Sequence, residues 1–159
     1  MIHSGIGYDF HRLSVGRPFY LAGVRVPSDR GPLGHSDGDP LCHALADAVL
    51  GAAAAGDIGQ HFPDDEPAYR GMPGLEILAR AAAIAAALGF VVRQADTVVV
   101  CQKPKLYPFR DEIRDNLART LALPPGLVNV KFKTTEGLGP LGRSLAVSAF
   151  ATANLEKSS

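Results

Sequence analysis

A chain of 159 residues is long enough for one domain with a real core and too short for two ordinary ones. Hydrophobic residues make up 47% and charged residues 20%, the balance of a globular chain rather than a disordered one. Lys and Arg number 16, as do Asp and Glu, which argues against nucleic acid or an anionic membrane as the main partner but leaves room for a small anion held locally.

The opening residues, MIHSGIGYDFHRL, show no basic segment followed by an apolar one, so no secretory signal is expected. No apolar run approaches the roughly 20 residues of a membrane span. Two cysteines, Cys42 and Cys101, are too few for a disulfide framework, and a reduced cytoplasmic setting is expected, or a plastid-type one if a transit peptide has been removed.

Residues 2–10 lean towards strand, and 17–27 read as two short strands around a turn at Ala22-Gly23. Residues 31–40 (GPLGHSDGDP) carry turn chemistry without periodicity and read as an ordered loop. Asp39 before Pro40 predicts a helix start, an N-cap side chain followed by a residue whose missing N–H costs nothing in the first turn. That helix runs to about Ala55 and stops at Gly56. Residues 57–73 are polar and read as a long functional loop. Gly74 to Leu88 is predicted helical and closed by Gly89, and 90–101 reads as one long or two short strands. Pro108 opens a helix to about Leu121, 128–133 alternates as a strand, 134–143 is a Gly-rich loop, and 145–155 alternates again. The order β-β-β-α-α-β-α-β-β predicts an α+β fold, a mixed sheet with helices packed on one face, as a single domain over 1–159.

Asp9 and His11 stand two apart, so on a strand both leave the same face. His43 falls in the first turn of the Asp39-capped helix, and together the three have the count of a catalytic zinc site with one open position. An Asp-x-His pair by itself is commonly an ordinary strand end. Asp47, one turn after His43, is expected to fix a ligand histidine's tautomer, while Cys42 points about 100° away and reads as core. His35 and Ser36 sit in the loop ahead of a helix N-terminus, an environment in which phosphate is held. The HSDGD string lacks the spacing of a calcium loop, and its Asp residues read as self-capping turns. Thr134, Thr135 and Glu136, with Gly137, Gly139, Gly142 and Arg143, form a third cluster. There, hydroxyls and backbone N–H groups can bind phosphate oxygens, Glu136 can take a hard divalent cation, and Arg143 can counter charge. Lys103 and Lys105 flank Pro104 at a strand end. These clusters together suggest metal-assisted phosphoryl transfer.

The strings GYDFHRL, GHSDGDPLCHALADAVLGAAAAGDIGQHFPD and KTTEGLGPLGR closely resemble the 2-C-methyl-D-erythritol 2,4-cyclodiphosphate synthases of the non-mevalonate isoprenoid pathway, in order and over nearly the whole chain. The resemblance implies an enzyme, a phosphorus–oxygen lyase. It would convert 4-diphosphocytidyl-2-C-methyl-D-erythritol 2-phosphate to the cyclic diphosphate with release of CMP, in a homotrimer with active sites between subunits. It further implies that Asp9, His11 and His43 hold zinc or another divalent transition metal, and that Glu136 helps seat Mg²⁺ or Mn²⁺ on the diphosphate. By the same likeness, Asp9 and His11 also contact substrate, and His35 and Ser36 bind the methylerythritol phosphate, with His35 and Thr134 stabilising the transition state. Asp57 and Gly59 would touch the ribose beside Ile58, and Phe62, Pro63, Asp64, Asp65 and Glu66 would form a mobile loop over the substrate. Cys101, Gln102, Lys103, Pro104, Lys105, Leu106 and Tyr107 would make the cytosine pocket. Lys133, Thr134, Thr135 and Glu136 would follow the phosphates, with Arg143 near them or at a cavity on the trimer axis. The chain departs from the family pattern at Lys133, Pro140 and Ser144-Leu145, the last of which bears on the trimer axis rather than on the chemistry.

Two other readings use the same residues. A zinc hydrolase of phosphate esters would need a placed water and a base, with Asp64 or Asp65 as candidates. A trimeric binding module with a structural metal would fill the fourth metal position with protein, Cys42 being the candidate.

Overall fold

The computed structural model describes residues 1–158. Its centre is a five-stranded sheet in the order β4-β1-β7-β5-β6, with a separate two-stranded hairpin. The strands are β1 (Ile2–Val15), β2 (Phe19–Leu21), β3 (Val24–Val26), β4 (Arg30–Pro32), β5 (Phe90–Val100), β6 (Val128–Lys133) and β7 (Ala146–Lys157). β5 and β6 run parallel and every other pairing is antiparallel, so the sheet is mixed, as expected.

Helices α1 (Pro40–Ala52), α2 (Ile58–His61), α3 (Gly74–Ala87), α4 (Arg110–Thr120) and α5 (Gly139–Gly142) complete the fold. Alternation along β1 shows how they are placed. Gly7 and Leu13 are buried with His3, Gly5, Asp9 and His11 half-buried on one side, while Ile2, Ser4, Ile6, Tyr8, Phe10 and Arg12 are exposed on the other. α1 packs on the covered side across β1 and β7, α3 packs on α1, and α4 lies against β6. α1 is sandwiched, so 11 of its 13 residues are buried, whereas α3 buries one stripe through Gly74, Ile77, Leu78, Ala81 and Ala85.

Asp39 caps α1 as expected, its side chain accepting from the Leu41 and Cys42 N–H groups, with Pro40 behind it. The same carboxylate also accepts from Ala22 N–H, which ties the β2–β3 turn to the helix start. It is fully buried. Burial and the neighbouring Asp37 push its carboxyl up to about 6, against the pull of the Cys42 N–H. Gly5 and Gly7 let α1 lie almost on the strand backbone, since a Cβ at either would stand 2.0 Å from Ala48 O or 1.8 Å from Ala44 O.

Some elements differ from expectation. β1 continues to Val15, because residues 13–15 find a partner in β4, a three-residue strand inside what reads as loop. The polar stretch 57–73 contains α2, capped by Asp57 through the Gln60 N–H. Pro108 belongs to a 3₁₀ turn over Tyr107–Phe109 and α4 begins at Arg110, while Pro140 is the second residue of the one-turn α5 within the Gly-rich loop. Residues 90–100 form one strand, with a register shift between Val92 and Gln94 where β5 meets β7.

Candidate active site

β1 carries Asp9 and His11 on the helix-covered face, and the close seating of α1 lowers His43 onto them. Asp9 Oδ2 stands 2.7 Å from His11 Nε2 and 3.0 Å from His43 Nδ1, and the two ring nitrogens are 3.3 Å apart. His43 is only 5% exposed. Two imidazole nitrogens and one carboxylate oxygen gathered this closely suit a borderline divalent transition metal, and all three residues line a cavity where further coordination positions would open. His11 Nδ1 donates to Leu33 O at 2.8 Å, which leaves Nε2 turned inward.

The charges are mutually adjusted. Burial alone would raise the Asp9 carboxyl, yet hydrogen bonds from His11 and His43, with their charge, hold it well below the usual carboxylate range. Burial likewise disfavours the His11 cation, and the hydrogen bond and charge of Asp9 outweigh it, so His11 is raised.

The cavity beside this group, about 330 Å³, is also lined by His35, Ser36, Ile58, Gly59, Phe62 and Asp64. His35 Nε2 is buried and has no hydrogen-bond partner, on a residue that lines this cavity. Asp57 is turned to capping α2, and Pro63, Asp65 and Glu66 do not line the cavity. Tyr69 and Ile77 do, and sequence reasoning missed both. Tyr69 meets Phe62 edge-on at 5.5 Å, and an aromatic in an otherwise polar loop was the available signal.

Asp47, expected to fix the tautomer of His11 or His43, bonds to neither. Its carboxylate accepts from Ile58 N–H at 2.8 Å, because one further turn of α1 brings it opposite the start of α2. Burial raises its carboxyl.

A second cavity, about 320 Å³, forms where the parallel strands β5 and β6 end side by side, Val100 opposite Lys133 and Cys101 N–H bonded to Lys133 O at 2.9 Å. Cys101, Gln102, Pro104, Lys105, Leu106, Tyr107, Lys133, Thr134 and Glu136 line it, with Phe132 added, while Lys103 and Thr135 are next to lining residues without lining it themselves. Thr134 donates to Glu136 at 3.1 Å, and Thr135 donates to Leu138 O. Cys101 donates to Lys103 O, and burial pushes its thiol up to about 12, which favours the protonated form. Arg143 is exposed at the end of α5 and lines neither cavity. Cys42 is fully buried, its thiol raised by burial, and stands outside the Asp9–His11–His43 group.

The cavities share no lining residue, so His35 and Thr134 lie in different ones. They nevertheless open at the same end of the sheet, since Ser148 of β7 pairs with Phe10 on one side and Val100 on the other.

The YgbB family model matches residues 2–156. The chain is 48% identical to the 2-C-methyl-D-erythritol 2,4-cyclodiphosphate synthase of Pelotomaculum thermopropionicum, over 96% of this chain and 94% of that protein. It is 52% identical to the bifunctional enzyme IspD/IspF of Desulforudis audaxviator over 96% of its own length, which is 39% of that longer protein. A solved 2C-methyl-D-erythritol-2,4-cyclodiphosphate synthase in its CDP-bound form superimposes with a TM-score of 0.89 at 42% identity, over 96% of this chain and 99% of that one. The chain belongs to the YgbB family, that of the 2-C-methyl-D-erythritol 2,4-cyclodiphosphate synthases.

Proposed function

We propose that this chain converts 4-diphosphocytidyl-2-C-methyl-D-erythritol 2-phosphate to 2-C-methyl-D-erythritol 2,4-cyclodiphosphate, releasing CMP as a phosphorus–oxygen lyase. The observation that carries the reading is the convergence of Asp9, His11 and His43 at a cavity also lined by His35, whose Nε2 has no hydrogen-bond partner. Those three residues would hold a divalent transition metal, Zn²⁺ by their chemistry, which would supply charge neutralisation to phosphate oxygens. His35 and Ser36 bind the methylerythritol phosphate, and Ile58 and Gly59 face the ribose with Asp57 capping the turn beneath them. Cys101 to Tyr107 enclose the cytosine. Lys133, Thr134, Thr135 and Glu136 follow the diphosphate, Glu136 beside the Mg²⁺ or Mn²⁺ that accompanies it.

The attack is intramolecular, with the 2-phosphate displacing CMP at the β-phosphorus. Its nucleophile is already anionic, so no base is required, and orientation can supply roughly 7–11 kcal/mol of the barrier. Enclosure in two cavities at one sheet end suits that task, because the substrate must be folded on itself.

A homotrimer is part of the proposal, with the chain as one domain in each subunit. Ile6, Tyr8, Phe10 and Phe150 leave the uncovered sheet face apolar, at 74%, 52%, 45% and 43% exposure, and burial between copies would join cavities that one chain keeps apart. Among the described residues no helix is long and apolar enough to cross a membrane, and the free thiols of Cys42 and Cys101 fit a reducing cytoplasmic compartment.

Asp9→Asn and His43→Ala test the reading. CMP release is expected to vanish in both while light scattering reports an intact trimer. Unchanged turnover would overturn the metal assignment, and a monomeric wild type would overturn the trimer.

A further inference from the structure

The outer nitrogens of both ring ligands are held by one short segment. His11 Nδ1 bonds to Leu33 O at 2.8 Å and His43 Nε2 to Ser36 Oγ at 3.1 Å. The two partners differ in what they allow. A carbonyl only accepts, so Leu33 holds a proton on His11 Nδ1, and Nε2, which donates to Asp9 while His11 is charged, is the nitrogen whose lone pair is freed when the ring becomes neutral. A hydroxyl donates or accepts, so Ser36 tolerates either tautomer of His43.

That freedom has a use. In the geometry described above, His43 Nδ1 lies 3.0 Å from the Asp9 carboxylate, which only accepts, so Nδ1 carries the ring proton and Nε2 accepts from Ser36. A cation taken by Nδ1 needs its lone pair, which puts the ring proton on Nε2 and turns Ser36 Oγ into the acceptor. Ser36 Oγ is already fixed by the Gly38 N–H at 3.1 Å, and Gly38 sits at φ +75° with Pro32 O 2.9 Å from where a Cβ would be. Accepting from both Gly38 and His43, the hydroxyl has its own proton left to point into the cavity it lines.

Resting on the reading of Asp9, His11 and His43 as metal ligands, we propose that Ser36 is a positioning residue of the metal site. Its hydroxyl reverses its hydrogen bond to His43 when the site is loaded, and so presents a donor to an oxygen of the cavity's occupant. This role is additional to direct contact with phosphate, and it acts before any substrate arrives.

The test measures Zn²⁺ affinity without substrate, by competition with a chromophoric chelator, for wild type, Ser36→Ala and Ser36→Thr. Loss of a partner of this kind weakens metal binding about 10–100-fold, so Ser36→Ala is expected in that range and Ser36→Thr within about threefold of wild type. Nitrogen-15 NMR of the Zn²⁺-loaded wild type, which needs no variant to fold, is expected to show His43 coordinated through Nδ1 with its proton on Nε2. Wild-type affinity in Ser36→Ala, even with a raised KM, overturns the proposal by leaving Ser36 a substrate contact only. Coordination of His43 through Nε2 overturns it equally. A wild type that binds no Zn²⁺ refutes the metal reading itself, and that arm is read separately from the variants.

Discussion

Substituting Gly7 with Ala strikes the contact that brings His43 onto Asp9 and His11. The new Cβ would lie 1.8 Å from Ala44 O, a backbone atom in the middle of α1. Restoring even the 3.4 Å of ordinary contact moves the helix about 1.6 Å off β1. His43 rides on α1 and Asp9 and His11 on β1, so the shift opens a ligand set whose distances tolerate only about 0.2 Å. Overpacking of this severity costs about 3 kcal/mol, of which the stiffer unfolded chain of an Ala variant offsets under 1 kcal/mol. A net destabilisation of about 2–3 kcal/mol lowers the midpoint by about 4–12 °C at this chain length. Circular dichroism melts would read the stability, and chelator competition the Zn²⁺ affinity, expected to fall at least about tenfold. Gly126→Ala is the control, since nothing lies within 4 Å of its Cβ position. A Gly7→Ala protein with wild-type melting and wild-type metal affinity would refute the reasoning.

Two further outcomes follow from the site. In metal-stripped protein, the raised His11 contributes stability that is fully present below its ordinary 6.5 and lost as pH rises through its folded value; the lowered Asp9 contributes above 3.8 and loses it as pH falls through its own. Stripped protein is therefore most stable between about pH 4 and 6.5, whereas Zn²⁺ needs neutral His11. The gap between loaded and stripped melting midpoints should widen from pH 6 to 8, and a pH-independent gap would contradict the ion pair. Asp47→Ala removes the acceptor for Ile58 N–H and should speed hydrogen exchange there while weakening CDP binding by about 1 kcal/mol, with Asp47→Asn largely restoring both. Unaltered exchange at Ile58 in the Ala variant would count against this.

Where local chemistry decides, the residues were legible. Asp39-Pro40 announced α1 because cap and N1 preferences act within four residues, and Asp9 and His11 shared a face because strand period is two. β4 was hidden because Arg-Gly-Pro has no pattern of its own and takes its extended form from residues 13–15 of β1. α2 was hidden because four residues carry no periodicity, and its anchor is a carboxylate eleven residues earlier. Gly5 and Gly7 gave no sign that they set the height of a helix 40 residues on. The split of the expected site into two cavities depends on sheet order, with β7 lying between β1 and β5, which no local motif encodes.

The central claim meets its most direct test in a ³¹P NMR time course of metal-replete protein with 4-diphosphocytidyl-2-C-methyl-D-erythritol 2-phosphate, run with and without chelator. The account requires CMP and a cyclic diphosphate to appear together and chelation to suppress both. CMP with an open-chain product would contradict it in favour of hydrolysis, and an unchanged spectrum would contradict the assignment of this substrate.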